Sequence, residues 1–169
     1  MKKIFFCFLL VIEAFLIGSC SRRIDRDAEK LPGVNIPVSK MNTKIRLEPF
    51  PGIPEVHKNG EALGFMIRNQ SFDTISFDQD FGIKVFKKLG ASWEPVENDW
   101  GYPEGDNILP TAKESPVGLA FFLSPNLEDL KASTIVRIVV IGHVIGKPKE
   151  QVGAYFDVQY EPLLPEVHS

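Results

Sequence analysis

Hydrophobic and polar residues alternate along several short stretches of this chain, as they do along strands that bury one face. Leu63, Phe65 and Ile67 alternate with Gly64, Met66 and Arg68. The same alternation recurs over residues 117–123 and 152–161, and β-branched residues crowd 134–145. Turn signals separate such stretches roughly every 8–12 residues, a spacing typical of all-β domains. The pattern predicts about seven or eight strands.

No stretch alternates strands with long amphipathic helices, so the chain is predicted to be all-β rather than α/β. Residues 134–145 and 152–161 form the clearest predicted hairpin, and Ser124-Pro125 has the composition of a helix start. We therefore expect an antiparallel β-sandwich with one short helical turn near residues 125–131. The order of these elements resembles an immunoglobulin or fibronectin type III module. The resemblance is architectural, because the cysteine pair of true immunoglobulin domains is absent.

The first 19 residues have the pattern of an export signal. Met1-Lys2-Lys3 is positively charged, residues 4–17 are mostly apolar, and Gly18 and Ser19 are small. The apolar stretch is shorter than the roughly 20 residues that a transmembrane helix needs. Residues 1–19 are therefore predicted to be a signal peptide.

The sequence Ile17-Gly18-Ser19-Cys20 resembles the lipobox of bacterial lipoproteins. The resemblance implies cleavage before Cys20, a diacylglycerol thioether on its sulfur and a fatty acid such as palmitate on the new N-terminus. Such a protein is anchored to the outside of a bacterial membrane, and Ser21 resembles the outer-membrane sorting position of diderm bacteria. The alternative is an ordinary secretory signal with a chance cysteine.

Residues 20–43 show no regular apolar period after the cysteine. Charges of both signs are mixed there, followed by Pro32-Gly33 and Pro37. This composition is typical of a flexible tether. The sequence therefore predicts three parts, which are the signal peptide at 1–19, the lipidated cysteine and tether at 20–43, and the β-sandwich at 44–169.

Composition excludes several classes of function. The 169 residues carry 19 basic and 22 acidic side chains, with a net charge of −3, which argues against nucleic-acid binding. Of the two cysteines, Cys7 lies in the leader and Cys20 would be modified, so thiol chemistry is not expected. The three histidines have no metal-site spacing, and neither a nucleophile elbow nor a glycine-rich phosphate loop occurs. We expect no catalytic residue, resident metal or cofactor.

The loop at 97–107 is the best sequence candidate for a binding surface. It contains Trp100, Tyr102, Glu104 and Asp106. Exposed aromatic rings beside carboxylates suit stacking on a glycan or contact with a protein. Two alternatives remain, in which the rings fold back over the core or the acidic side chains bind calcium.

These features together predict a non-catalytic, membrane-anchored envelope lipoprotein. Its sandwich would present a binding or structural surface to an envelope protein or a glycan, outside the cytoplasm. The alternatives are an inhibitor-like or chaperone-like sandwich that acts through an edge or loop, and an enzyme that uses scattered loop carboxylates.

Overall fold

The computed structural model describes residues 29–52, 56–58, 60–97, 107–116 and 118–163. The chain is mostly β, with ten strands in the described part: β1 Ile45–Pro49, β2 Val56–Lys58, β3 Leu63–Asn69, β4 Ile75–Phe77, β5 Ile83–Leu89, β6 Ser92–Val96, β7 Ile108–Leu109, β8 Leu119–Leu123, β9 Thr134–Val144 and β10 Lys147–Glu161. The number exceeds the predicted seven or eight because strands such as β2 and β7, with three and two residues, are too short to show alternation.

The strands form two open sheets. The smaller has the order β1-β3-β8, and the larger has the order β2-β10-β9-β4-β7, with β5 joined to β9 and β6 to β5. All described pairings are antiparallel except β2 with β10, which is parallel. Strand β9 is central because it pairs with β10 on one side and with β4 and β5 on the other.

One hydrophobic core draws on both sheets. Phe65 of β3 lies 5.8 Å from Phe156 of β10 and 5.8 Å from Phe121 of β8, measured between ring centroids. The hydrophobic side chains that alternate along β3 and β8 point inward as predicted. The buried ones are Leu63, Phe65, Ile67, Phe121 and Leu123. The shared core explains why these short strands hold together without a disulfide.

The predicted hairpin is confirmed by the pairing of β9 with β10. Their register joins Val144 to Lys147 and His143 to Gln151, so residues 148–150 bulge out beside the turn. The turn is Ile145-Gly146, with Gly146 at a φ of 81°. It is tighter than the sequence indicated, because Lys147 already belongs to β10.

Residues 29–43, which we call the N-terminal strap, differ from the predicted tether. Leu31, Ile36, Val38 and Met41 are buried in a second hydrophobic cluster with Phe86, Trp93 and Val139, on the outer face of the larger sheet. Asn42 fixes the end of the strap, since its backbone N–H donates to the Gly153 carbonyl and its side chain accepts from the Tyr155 N–H. Packing of the chain therefore begins at least at residue 29 rather than at residue 44.

The predicted helical turn near 125–131 is wrong. Pro125 lies in a β-bridge, and the segment closes as a single turn in which the Leu130 N–H donates to the Leu127 carbonyl. The Asn126 side chain accepts from the Glu128 N–H at 3.3 Å, which favours a turn over a continued helix. The described 3-10 segments are instead Val38–Lys40 and Gln79–Gly82.

A left-handed turn precedes β5. Asp80, Phe81 and Gly82 have φ values of 55°, 53° and 59°. The turn directs the Phe81 ring inward, where its centroid lies 4.6 Å from that of Phe121. Residues other than glycine adopt this conformation at a cost, and core packing of Phe81 offsets it.

Within the described residues, no helix has the length and apolar character needed to cross a bilayer.

Candidate functional site

The predicted site residues Cys20, Trp100, Tyr102, Glu104 and Asp106 lie outside the described residues. What the structure does describe is both stems of the 97–107 loop. Its last residue is anchored, because the Phe77 N–H donates to the Asn107 carbonyl at 2.8 Å and the Asn107 amide donates to the Asp78 carbonyl at 3.0 Å. Its first residue, Glu97, borders a cavity of about 230 Å³ together with Lys87, Pro95, Val96, Asn126, Glu128 and Asp129.

The strongest polar constellation of the described chain was not predicted from the sequence. Arg137 of β9 lies between two aromatic rings, 4.2 Å from the centroid of Trp93 and 4.2 Å from that of Tyr155. Its Nε and Nη2 donate to the two carboxylate oxygens of Asp157 at 2.7 and 2.8 Å. Its Nη1 faces Glu29 Oε2 at 3.0 Å. We call these five residues the arginine clamp.

Register explains how the clamp assembles. Arg137 stands directly opposite Asp157 of β10 on one side and Phe86 of β5 on the other. All three point to the outer face of the larger sheet, which the N-terminal strap covers. The Arg137 side chain is only 5% exposed, and a buried guanidinium must have its donors paired. Asp157 accepts hydrogen bonds from Nε and Nη2, whereas Nη1 meets Glu29 as an ion pair and has no hydrogen-bond partner among the described residues.

The clamp displaces the pKa of Glu29 and of Arg137. Burial alone would raise the pKa of Glu29, but hydrogen bonds from Arg137 and Trp93 outweigh it and hold that pKa below the ordinary value of 4.5. Burial lowers the pKa of Arg137. The hydrogen bonds and charges of Asp157 and Glu29 raise it by more, so the pKa of Arg137 lies above its ordinary value. The clamp is therefore ionised at neutral pH.

The arginine clamp is suited to holding segments of the domain together rather than to converting a substrate. The guanidinium is buried, stacked on both faces and ion-paired with two carboxylates, so Arg137 is held within the domain rather than presented to solvent. Its effect is to join the strap, β6, β9 and β10 at one point. The clamp thus fixes where the N-terminal segment enters the domain.

A cleft of about 600 Å³ lies beside the clamp, between β1 and β10. Tyr155 and Asp157 line one wall, and Arg46, Asn42 and Gln70 are among the polar groups on the other sides. Arg46 is largely exposed. These groups give the cleft hydrogen-bond donors and acceptors that are accessible to solvent.

The described histidines do not come together. His57 is 2% exposed and stacks on Tyr160, with ring centroids 5.7 Å apart, and its Nε2 has no hydrogen-bond partner among the described residues. Burial, with a smaller effect from Glu61, raises the pKa of Tyr160 to about 12. His143 approaches Gln151 at 3.4 Å on the other side of the larger sheet's hairpin. The described ranges contain no group of three His, Cys, Asp or Glu residues that could hold a metal ion.

One sequence signal would have pointed to the clamp. Arg137 is a lone arginine within the β-branched run of residues 134–145. A charge in such a buried strand requires a partner of opposite charge.

Comparison with known proteins gives no family for the chain: no protein-family model matches it, and none of the curated proteins is significantly similar to it in sequence.

Proposed function

We propose that the protein is a non-catalytic lipoprotein of the bacterial cell envelope. Cys20 carries the lipid, and the β domain is an immunoglobulin-like sandwich that presents a surface to an envelope protein or glycan. The observation that carries the proposal is that the chain is already packed at Glu29 in the arginine clamp, nine positions after Cys20.

The short distance along the chain has a mechanical consequence. The residues between Cys20 and Glu29 span at most about 30 Å when fully extended. The predicted tether of 20–43 would have let the domain move much further from the bilayer. With the strap packed, the domain is a body held close to the membrane surface, which suits a partner that is also close to that surface.

The sheet arrangement supports the finer fold assignment. Inward-facing residues of β1, β3 and β8 meet those of β5, β9 and β10 in one core, as in a two-layer sandwich. The mainly antiparallel pairing agrees with that architecture.

The placement of charge supports a binding role over catalysis. Among the described residues, the acids with a lowered pKa are Glu29 and Asp73, and both are engaged in ion pairs. Hydrogen bonds from Lys44 and Lys147 lower the pKa of Asp73, as those from Arg137 and Trp93 lower the pKa of Glu29. A general acid needs the opposite displacement, toward neutrality.

The lipid anchor is tested by substitution of the two cysteines. In the bacterium that makes the protein, Cys20→Ala should abolish incorporation of labelled palmitate and move the protein from the detergent phase to the aqueous phase. Cys7→Ala is the matched control and should leave both unchanged, because Cys7 lies within the leader.

Mass spectrometry of the N-terminal peptide gives an independent readout. The proposal expects a chain that begins at an acylated Cys20. An unmodified Cys20 in the wild-type protein, or equal labelling of the Cys20→Ala variant, would overturn the anchor.

A further inference from the structure

The most exposed large hydrophobic side chain of the described residues is Phe72, at 88%. It lies at the centre of a tightly bonded loop. Asn69, which is buried, donates through its amide to the Asp73 carbonyl at 2.7 Å and to the Pro110 carbonyl at 3.0 Å, and its Oδ1 accepts from the Ser71 N–H and hydroxyl. The ring is therefore displayed on a fixed backbone.

The loop is joined to the turn between β9 and β10. The Ile145 N–H donates to the Thr74 carbonyl at 2.9 Å, and Ile145 is itself 49% exposed. Residues 71–74 and 145–149 thus form one end of the domain, which we call the Phe72 tip. Two exposed apolar side chains, Phe72 and Ile145, lie at this end.

Charge at the Phe72 tip is arranged so that its acids are neutralised. Asp73 pairs with Lys44 at 2.5 Å and with Lys147 at 3.2 Å, while Lys44 also pairs with Glu150 at 2.6 Å. Lys147 and Lys149 are both exposed, but the ammonium of Lys147 is held in ion pairs with Asp73 and Glu150. The surface that surrounds Phe72 therefore combines apolar groups with the ammonium group of Lys149, which belongs to none of these ion pairs.

This combination fits the interface of an anionic bilayer. An exposed ring with an adjacent aliphatic side chain enters the headgroup region, and a neighbouring lysine meets anionic headgroups. A loop that is already ordered loses little conformational entropy when it binds. A protein partner would require a larger complementary surface than one protruding ring and one aliphatic side chain provide.

We propose that the Phe72 tip contacts the membrane to which the protein is anchored, with the ring of Phe72 inserted between lipid headgroups. This inference rests on the proposed function. The geometry allows the protein to be attached by the lipid and by the tip at the same time. Arg137, where the strap meets the sheet, and Ile145, just beyond the end of β9, are separated by about 26 Å of extended strand. The residues between Cys20 and Glu29 reach about as far, so the anchor and the tip can touch one bilayer when β9 lies along it.

A depth-sensitive quenching experiment tests the contact. The full-length protein, purified from its own membrane, is reconstituted into vesicles of phosphatidylethanolamine and phosphatidylglycerol at about 3:1, with or without brominated acyl chains. Phe72→Trp places a reporter at the tip. Phe122→Trp is the matched control, since Phe122 is also exposed, at 51%, but lies on the outer face of the smaller sheet, away from the strap.

Both variants keep the native tryptophans, so the emission of the wild-type protein on the same vesicles is subtracted from each. We expect brominated chains to reduce the added emission of Phe72→Trp at least twofold and to leave that of Phe122→Trp unchanged. Equal quenching of the two variants on vesicles that carry the protein would overturn the tip contact and leave the lipid anchor intact. Failure of the wild-type protein to attach to the vesicles would instead count against the proposed function, and the tip inference would fall with it.

Discussion

The indole nitrogen of Trp93 donates a 2.6 Å hydrogen bond to the carboxylate of Glu29, which precedes it by 64 positions. The contact is the first point at which the N-terminal strap meets the sheet in the described chain. The second oxygen of the same carboxylate faces Arg137. Loss of charge on Glu29 would therefore weaken two contacts at once.

The strap should loosen in acid. Since the clamp lowers the pKa of Glu29, the stability it contributes is complete above the ordinary pKa of 4.5 and is lost as the pH falls through the lower folded-state value. In a titration followed by nuclear magnetic resonance, the indole N–H proton of Trp93 should move upfield below pH 4.5. Glu29→Gln should remove that titration, and persistence of the same titration in Glu29→Gln would contradict the assignment.

Arg137 should be the costliest charged side chain to replace. Arg137→Met leaves Asp157 and Glu29 without their cation and should lower the free energy of unfolding by about 3 kcal/mol. This value is at the lower end of the range for breaking a buried ion pair, because both acids are partly exposed. Arg137→Lys keeps the charge but loses the two-pronged bond and the stacking, so a loss of about 1.5–3 kcal/mol is expected.

Urea denaturation measures both variants of Arg137. Arg46→Met serves as the control, because Arg46 is 59% exposed and should change stability by no more than about 0.5 kcal/mol. If Arg137→Met were as stable as this control, the clamp would not hold the domain together.

Gly82 and Gly90 provide a matched pair for the left-handed turn. Both have a φ of 59°, so alanine should cost about 1–2 kcal/mol of backbone strain at either position. A Cβ at Gly82 would lie 2.1 Å from the carbonyl oxygen of Ile141, whereas a Cβ at Gly90 would meet nothing within 4 Å. Gly82→Ala should therefore exceed Gly90→Ala by at least about 2 kcal/mol in unfolding free energy. Equal costs would mean that the turn can move away from β9.

Truncation tests where the packed domain begins. A chain that starts at Glu29 should match the mature protein in its urea midpoint. A chain that starts at Lys44 uncovers Phe86, Trp93 and Val139, which the strap buries, and should denature at lower urea and bind a hydrophobic dye. Identical midpoints without dye binding would show that the strap adds nothing to stability.

Sequence reasoning succeeded where one face of a strand is buried. The alternation of β3, β8 and β10 is readable because each has an inner and an outer side with different surroundings. It also identified the β9–β10 hairpin, since two long β-branched and alternating runs flank a glycine turn.

The burial of the N-terminal strap was not predicted, because its sequence has no regular alternation. Leu31, Ile36, Val38 and Met41 follow no period of 2.0 or 3.6, because the segment is neither strand nor helix and simply fills the outer face of the sheet. Its burial depends on apolar partners 43 or more positions later, which local patterns do not encode. The predicted binding residues of the 97–107 loop stay a prediction.

The contacts of the strap also set an order of events during synthesis. Glu29 is among the first residues of the domain to leave the ribosome, yet its partner Arg137 comes more than a hundred positions later. The second hydrophobic cluster therefore cannot close until nearly the whole chain has been made. A chain with this layout cannot bury its N-terminal strap while most of it is still being translated.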